Sequence, residues 1–249
     1  MSLHFLTVGQ ESCMIQLSPK QQEIQLREKR ILEVAQSVLV EHGYHGLSME
    51  RIAGLVEYSK GTVYNHFANK EEIIVALAIA TVTKRFEMFK QAAQFKGASR
   101  FRMLAVGQAA EKFVNAYPDF FMLEQILMLP SVRQKVSEKR QNEINSIEVR
   151  CLDIVAGIVR DAVSAEDLVL APGVTPEKLV FGLWSLSSGG FALADRMDAL
   201  PHLGVGDPFE LVHRHTAILM DGLGWAPLSS EYDAQELERQ IQCEVLCDE

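Results

Sequence analysis

The sequence predicts an all-α protein, and two kinds of observation lead to this fold class. Apolar residues recur at i, i+3, i+4 and i+7 along many segments, which is the period of a helix with one buried face. Helix-start signals punctuate the chain, as where Asp207 would cap a helix with Pro208 in its first turn. No segment shows a competing strand alternation. The predicted helices cover about residues 19–42, 49–56, 60–67, 70–95, 100–116, 119–128, 131–163, 176–198, 208–222 and 231–246.

Composition is typical of an ordinary globular protein. Hydrophobic residues make up 48% and charged residues 23%, which argues against both a disordered chain and a membrane protein. No apolar run approaches the roughly 20 residues that cross a bilayer, and the N-terminus lacks the basic and apolar parts of a leader. We therefore expect a cytoplasmic protein with no membrane partner and a flexible N-terminal extension at residues 1–17.

The net charge of −9 is unevenly distributed along the chain. Residues 1–90 contain ten basic and ten acidic residues, so the rest of the chain carries the whole negative excess. A neutral N-terminal third can present a locally basic face to phosphate, whereas the acidic remainder would be repelled by phosphate. The charge distribution therefore indicates two functional parts.

The sequence gives no indication of an enzyme, a cofactor or a metal centre. His213 and His215 are two residues apart and would diverge on a helix, and no glycine-rich phosphate loop is evident. The cysteines do not suggest a disulfide framework, and we expect thiols at Cys13, Cys151, Cys243 and Cys247. The last two would share a helix face, which leaves metal binding or oxidation open, although no second pair of ligands lies nearby.

Residues 48–67 predict two short helices joined by a tight turn of three residues. Ser48 would cap the first helix, and Ser59 would cap the second. A longer preceding helix holding such a pair is the geometry that presents a recognition helix to the major groove of DNA. In the second helix one apolar residue, Val63, is surrounded by hydrogen-bonding side chains, which indicates contact with a polar partner.

Several motifs occur together between Ile31 and about Leu77. They are Ile31-Leu32, Ala35, Gly43-Tyr44, Leu47-Ser48-Met49, Ile52-Ala53, Ser59-Lys60-Gly61-Thr62-Val63-Tyr64-Asn65-His66-Phe67 and Asn69-Lys70-Glu71-Glu72. At these spacings the combination is highly specific, and it closely resembles the DNA-binding region of the tetracycline-repressor (TetR) family. The rest of the chain resembles the family only in length and helical content. The resemblance implies an N-terminal helix-turn-helix DNA-binding domain followed by a larger helical ligand-binding and dimerisation domain.

The resemblance also implies a set of DNA-binding residues. Candidates for base contacts are Lys60, Thr62 and Asn65, and candidates for phosphate contacts are Ser48, Tyr64, His66 and Lys70. Lys70 opens the next helix, so its backbone N–H and its ammonium group could clamp one phosphate together. Other interpretations stay open: Tyr64 as a core aromatic, His66 as an internal hydrogen-bond partner, and Asn65 and both lysines as solvated surface residues. Ser48 caps its helix in either case.

For the rest of the chain, the resemblance implies dimerisation through a four-helix bundle and an effector pocket. The predicted domains are residues 18–70 for DNA binding, 71–96 for a connecting helix and 97–249 for effector binding and dimerisation. Residues 179–191 are apolar nearly all round, and the predicted interface combines them with Leu211, Ala217, Ile218 and Met220. A monomer's central helix is the alternative. The candidate ligand-binding residues, which could instead be ordinary core, are Phe113, Phe121, Met122, Ile126 and Trp184.

We therefore predict a homodimeric transcription regulator that binds an inverted-repeat operator in double-stranded DNA. The resemblance to the family favours a repressor, which an unknown small effector of apolar or amphipathic character would release from the operator. The alternative is a DNA-bound organiser that contacts a protein partner and senses no small molecule.

One position departs from the family pattern, which usually has Ala-Gly and a small apolar residue where this chain has Val56-Glu57-Tyr58. A residue that ends one helix and redirects the chain within three residues often needs the left-handed region, which favours glycine. We expect strain at Glu57, or an altered turn. A Glu57 that points into solvent with negative φ is the alternative.

Overall fold

The computed structural model describes residues 18–194, 202 and 204–246, and the regular elements of this part of the chain are helices without any strand. The predicted N-terminal extension at residues 1–17, which includes Cys13, lies outside the described residues, as does Cys247. The α-helices are α1 (Pro19–Gly46), α2 (Met49–Val56), α3 (Lys60–His66), α4 (Lys70–Ala92), α5 (Ser99–Ala116), α6 (Pro118–Leu127), α7 (Pro130–Arg133), α8 (Glu138–Ser164), α9 (Pro176–Ala194), α10 (Pro208–Gly222) and α11 (Ala234–Glu244). The predicted all-α fold is confirmed.

Several helices begin and end where the sequence signals place them. Ser18 caps α1 with a full capping box, in which its hydroxyl accepts from the Gln21 N–H and the Gln21 side chain accepts from the Ser18 N–H. Gly43 breaks the helical geometry of α1 with φ 65° and ψ −175°. The predicted stop at Gly43 is therefore correct, although one further turn follows it as far as Gly46.

The single helix predicted over residues 131–163 is wrong, because the chain forms α7 and α8 with a turn between them. The turn exposes carbonyl groups that a continuous helix would have satisfied. The Gln141 side-chain amide donates to the carbonyls of Arg133 and Val136, at 3.0 and 2.8 Å. This side chain stabilises the break, and neither glycine nor proline is present in the turn itself to reveal it.

Two other predicted bounds are also corrected. Helix α4 ends at Ala92 instead of about residue 95, since i to i+3 bonds from Gln94 and Phe95 tighten the chain there. Helix α11 begins at Ala234 instead of residue 231, because Asp233 accepts from the N–H groups of its first turn. Residues 229–231 form a separate 3₁₀ turn.

The described chain divides into two compact units. The first comprises the residues up to Val82 together with Asp119–Asn145, and the second comprises Thr83–Pro118 together with the residues from Ser146. The predicted domain boundaries after residues 70 and 96 remain predictions. The core of the first unit is formed by one contiguous set of buried side chains from α1 to α4 and α6, among them Ile31, Ala35, Leu47, Ile52, Val63, Phe67, Ile74 and Leu123.

The core of the second unit surrounds a buried arginine. Arg100 at the start of α5 is fully buried and pairs with Asp221 at 2.8 Å. Its guanidinium also donates to the carbonyls of Trp225 and Ala217 and to the Ser229 hydroxyl, at 2.8, 3.1 and 2.8 Å. Since a buried charge needs such partners, this cluster fastens the end of α10 and the following segment onto α5.

Helices α9 and α10 pack against each other at very close range. Gly190 of α9 lies so near Val212 of α10 that a Cβ atom there would stand 2.2 Å from the Val212 Cγ2 atom. The missing side chain therefore permits the close approach of the two helices. Within the described residues, no helix is both long and apolar enough to cross a membrane.

Candidate nucleic-acid interface

Helices α2 and α3 are each fixed by a serine cap. The Ser48 hydroxyl accepts from the Arg51 N–H at 3.2 Å, and the Ser59 hydroxyl accepts from the Thr62 N–H at 3.0 Å. Both capping residues have extended backbone angles, as an N-cap requires. The local sequence therefore determines where each helix starts.

The turn between the two helices depends on Glu57. This residue has φ 58° and ψ 31°, which is the left-handed region. The Tyr58 N–H donates to the Ala53 carbonyl at 3.1 Å, as in a Schellman ending. Positive φ at Glu57 is confirmed, and the alternative of negative φ is wrong. The exposed carboxylate of Glu57 stands in the turn that leads into α3.

Helix α3 has one inward and one outward face. Val63 is fully buried in the core of the first unit, and Phe67 follows it inward at the C-cap. Lys60 and Asn65 are exposed, as is Tyr64, whose exposed fraction of 46% shows that it is not a core aromatic. This division leaves the polar side chains of the helix available to a partner, as the sequence motif predicts.

Two of the predicted base-contact residues already have local partners. The Lys60 ammonium lies 3.5 Å from the Glu50 carboxylate of α2, and both side chains are exposed. The Thr62 hydroxyl is 2.8 Å from the Ser59 hydroxyl. An exposed ion pair of this kind is weak, so phosphate or a base edge can replace Glu50 as the partner of Lys60.

His66 lies at the inner edge of the same helix. Its side chain is only 9% exposed, and its Nδ1 atom is 3.5 Å from the Glu28 carboxylate of α1. This placement agrees with the interpretation of His66 as an internal partner more closely than with a phosphate contact. Whether His66 touches DNA stays a prediction.

Lys70 opens α4 and is held against Tyr44. Its ammonium lies 4.0 Å from the centre of the Tyr44 ring and 3.4 Å from the Tyr44 carbonyl oxygen. Asn69 precedes it and caps the helix by accepting from the Glu72 N–H at 2.9 Å. The half-buried side chain of Lys70 therefore has a defined place at the N-terminus of α4, where an anion is favoured.

Two buried acids follow Lys70, and a distant segment neutralises them. Glu71 accepts from the Lys135 ammonium at 3.0 Å and from the Tyr44 hydroxyl at 3.3 Å. Glu72 pairs with Arg140 at 2.8 Å and also accepts from the Ser137 N–H.

The titration of this cluster reflects the same contacts. Burial alone would raise the pKa of Glu71, but the hydrogen bond and charge of Lys135, a backbone N–H and the Tyr44 hydroxyl outweigh it and hold the pKa below its ordinary value. Burial and the Glu71 carboxylate raise the pKa of Tyr44. The hydrogen bond to Glu71 raises the pKa of Lys135. Glu71 is therefore ionised at neutral pH.

The sequence motif alone does not reveal Lys135 and Arg140 as neighbours of this site. They lie 64 and 68 residues beyond Glu71 and Glu72, and no local pattern connects them. Glu71 and Glu72 are buried and therefore require cations, but their burial is visible only in the structure.

The candidate ligand-binding residues are distributed over both units. Phe113 and Trp184 belong to the second unit, whereas Phe121, Met122 and Ile126 belong to the first. Phe113 is buried, Ile126 packs against the core of the first unit, and Trp184 is 42% exposed on α9. A ligand role for any of them stays a prediction.

Comparison with known proteins identifies the segment that contains this site. Residues 31–77 match the profile of a family described as bacterial regulatory proteins, tetR family. The HTH-type transcriptional repressor AcnR of Corynebacterium diphtheriae is 39% identical over 56 residues, which are 22% of this chain and 30% of AcnR. The chain thus matches less than a third of the length of that relative.

Solved structures with the same fold extend over most of the chain. A transcriptional regulator of the TetR/AcrR family from Thermobifida fusca aligns with a TM-score of 0.57 at 20% identity, covering 79% of this chain and 97% of the other. The regulator FadR from Bacillus subtilis, solved in complex with stearoyl-CoA, aligns with a TM-score of 0.57 at 19% identity and covers 78% and 98%. Residues 31–77 thus match the tetR family of bacterial regulatory proteins, and the helical fold over most of the described chain is the one that these solved TetR-family regulators have.

Proposed function

We propose that this protein binds double-stranded DNA through α2 and α3 and regulates transcription in the cytoplasm. The main support is that α3 has a buried face and an exposed face. Val63 is buried, whereas Lys60, Tyr64 and Asn65 face outward from a capped helix that can enter the major groove. The family consists of regulators rather than enzymes, which agrees with this role.

The test begins with a duplex selected by the protein from a random DNA pool. Lys60→Ala should weaken binding and alter the base preference at one position, since Lys60 is proposed to reach base edges. Lys96→Ala removes another exposed charge, between α4 and α5, and should leave affinity and preference unchanged. Failure of the wild-type protein to select any sequence would contradict the proposal.

We further propose a homodimer on an inverted repeat, because one short recognition helix contacts too few base pairs for specificity. Large apolar side chains are exposed on α9 and α10, with Phe181 at 63% and Ile218 at 59%. A partner subunit that covered these two helices would remove their exposed apolar side chains from water. Met220, which the sequence assigned to the interface, is instead fully buried in the core of the second unit.

Sedimentation tests the dimer. Ile218→Glu introduces a charge into the proposed interface and should produce monomers at micromolar concentration with unchanged helix content. Val169→Glu makes a similar change at an exposed apolar residue after α8 and should leave the dimer intact. A wild-type monomer at that concentration would contradict this part of the proposal.

The proposed effector is a small amphipathic molecule that lowers DNA affinity. The fold likeness to a regulator solved with stearoyl-CoA supports this class, so long-chain acyl-CoA is the first probe. Binding must be reciprocal: if stearoyl-CoA weakens operator binding, operator must weaken stearoyl-CoA binding by the same factor. A full panel of amphipathic ligands with no effect would favour the alternative, a DNA-bound organiser that contacts a protein partner.

A further inference from the structure

The segment between α7 and α8, together with the first turn of α8, contacts the start of α4 through several polar groups. Asn69 donates from its side-chain amide to the Lys135 carbonyl at 3.0 Å, and the Lys135 ammonium pairs with Glu71. Arg140 pairs with Glu72 and lies over the Phe67 ring, 5.2 Å from its centre. All of these residues belong to the first unit, so this segment is part of the same compact body as α2 and α3.

A chain of contacts leads from Lys135 to Lys70, the proposed phosphate ligand. The Lys135 ammonium and the Tyr44 hydroxyl both donate to the Oε1 atom of Glu71, at 3.0 and 3.3 Å. The ring and carbonyl of the same Tyr44 hold the Lys70 ammonium. The orientation of Tyr44, and with it the place of Lys70, therefore depends on Glu71.

Glu71 is useful at this place only while a cation neutralises it. Glu71 is 4% exposed and directly follows Lys70 in the chain. Without a cation its carboxylate would attract the Lys70 ammonium towards itself and away from phosphate. Lys135 removes this effect, and its own side chain is 59% exposed, so its loss should not unfold the domain.

We propose that Lys135 is a positioning residue for DNA binding, which acts through Glu71 and Tyr44 to keep Lys70 directed at phosphate. The inference rests on the proposed DNA-binding function and adds to it a residue that lies 65 positions beyond the phosphate ligand. It makes Lys135 a determinant of affinity without requiring it to touch DNA.

The test is a double-mutant cycle that measures affinity for the selected duplex between 50 and 300 mM salt. Lys70→Gln should reduce the salt slope by about 0.9 per subunit, which corresponds to roughly an eightfold weaker affinity per subunit at 100 mM salt. Lys135→Gln should weaken binding by about two- to eightfold per subunit in the parent protein. In the Lys70→Gln background it should have no further effect, because its target is then absent.

Two controls separate positioning from other roles. Lys135→Arg keeps the cation beside Glu71 and should retain parental affinity. Lys139→Gln makes the same charge change four residues away, on an exposed side chain at the start of α8, and should leave the slope unchanged. A second cycle with Glu71→Gln should also abolish the effect of Lys135→Gln, since no carboxylate then needs a cation.

The outcomes are distinct. An additive effect of Lys135→Gln in the Lys70→Gln background would overturn the proposal and indicate that Lys135 contacts DNA directly or supports the fold. Parental affinity of Lys135→Gln would also overturn it. Failure of the wild-type protein to bind any duplex would instead contradict the proposed function, so the two failures are not confused.

Discussion

Replacement of Glu57 by glycine tests whether this turn stores strain. Glu57 holds φ 58° at the end of α2, where a side chain costs about 1 kcal/mol relative to glycine. The Schellman bond from the Tyr58 N–H to Ala53 maintains this angle, so the strain cannot relax without loss of the turn. Glu57→Gly should therefore raise the free energy of unfolding by about 1 kcal/mol, less the greater entropy of glycine in the unfolded chain.

The same residue should also affect DNA binding through its charge. The exposed Glu57 carboxylate lies in the turn that precedes α3, where phosphate is proposed to approach. A carboxylate about 10 Å from a phosphate in water weakens binding by about twofold, and the effect declines as salt screens the charges. Removing the charge should therefore tighten binding by about 1.4-fold per subunit at 50 mM salt, where the charges are partly screened, and by less at 300 mM.

Glu57→Gln separates the two effects because it removes the charge and keeps the side chain. Urea unfolding should give the same free energy for Glu57→Gln as for the parent, and an equal or higher one for Glu57→Gly. Fluorescence anisotropy with the selected duplex should show both variants binding more tightly at low salt. A lower free energy of unfolding for the glycine variant would refute the strain argument, and parental affinity of the glutamine variant at 50 mM salt would refute the electrostatic one.

Three further predictions concern packing, a buried charge and pH. Gly190→Ala places a Cβ atom 2.2 Å from its neighbour on α10 and should destabilise by about 1–3 kcal/mol in urea unfolding, whereas Gly189→Ala, with nothing within 4 Å, should not. Arg100→Met leaves the carbonyls of Trp225 and Ala217 and the Asp221 carboxylate without their common donor and should cost about 3 kcal/mol, seen as an earlier unfolding midpoint. The pKa of Glu71 is lower in the folded protein than its ordinary value of 4.5, so its carboxylate stabilises the fold above pH 4.5. This stabilisation is lost as the pH falls through the pKa of the folded state. Unfolding between pH 6 and pH 3 should therefore depend more steeply on pH in the parent than in Glu71→Gln, and parallel curves would contradict this.

The helix-turn-helix could be predicted in detail because its determinants are local. Ser48 and Ser59 lie three residues before the N–H groups that they cap, and these bonds form within a single turn of helix. Glu57 could be expected at positive φ because only three residues separate two helices there. In each case the residue and its structural consequence are close in sequence, so no knowledge of tertiary contacts was needed.

The break between α7 and α8 could not be predicted for the opposite reason. Residues 134–137 contain neither glycine nor proline, and local helix propensity favours continuation through them. The interruption is stabilised by groups that are remote in sequence, since the Ser137 N–H donates to Glu72 instead of to a helical carbonyl.

The hydrophobic periodicity also could not distinguish buried from exposed apolar residues on α9, where Leu183 is buried and its neighbour Trp184 is 42% exposed.

The same limit applies to the proposed DNA-binding site. A motif identifies Lys70 because its neighbours in sequence are typical of the family, but an ammonium group binds phosphate only from a particular place. That place depends on Tyr44, which is 26 residues earlier, and on Glu71, whose charge is compensated from 64 residues further along. Sequence motifs therefore predict which groups would contact DNA, whereas the long-range contacts of this chain determine where those groups are held.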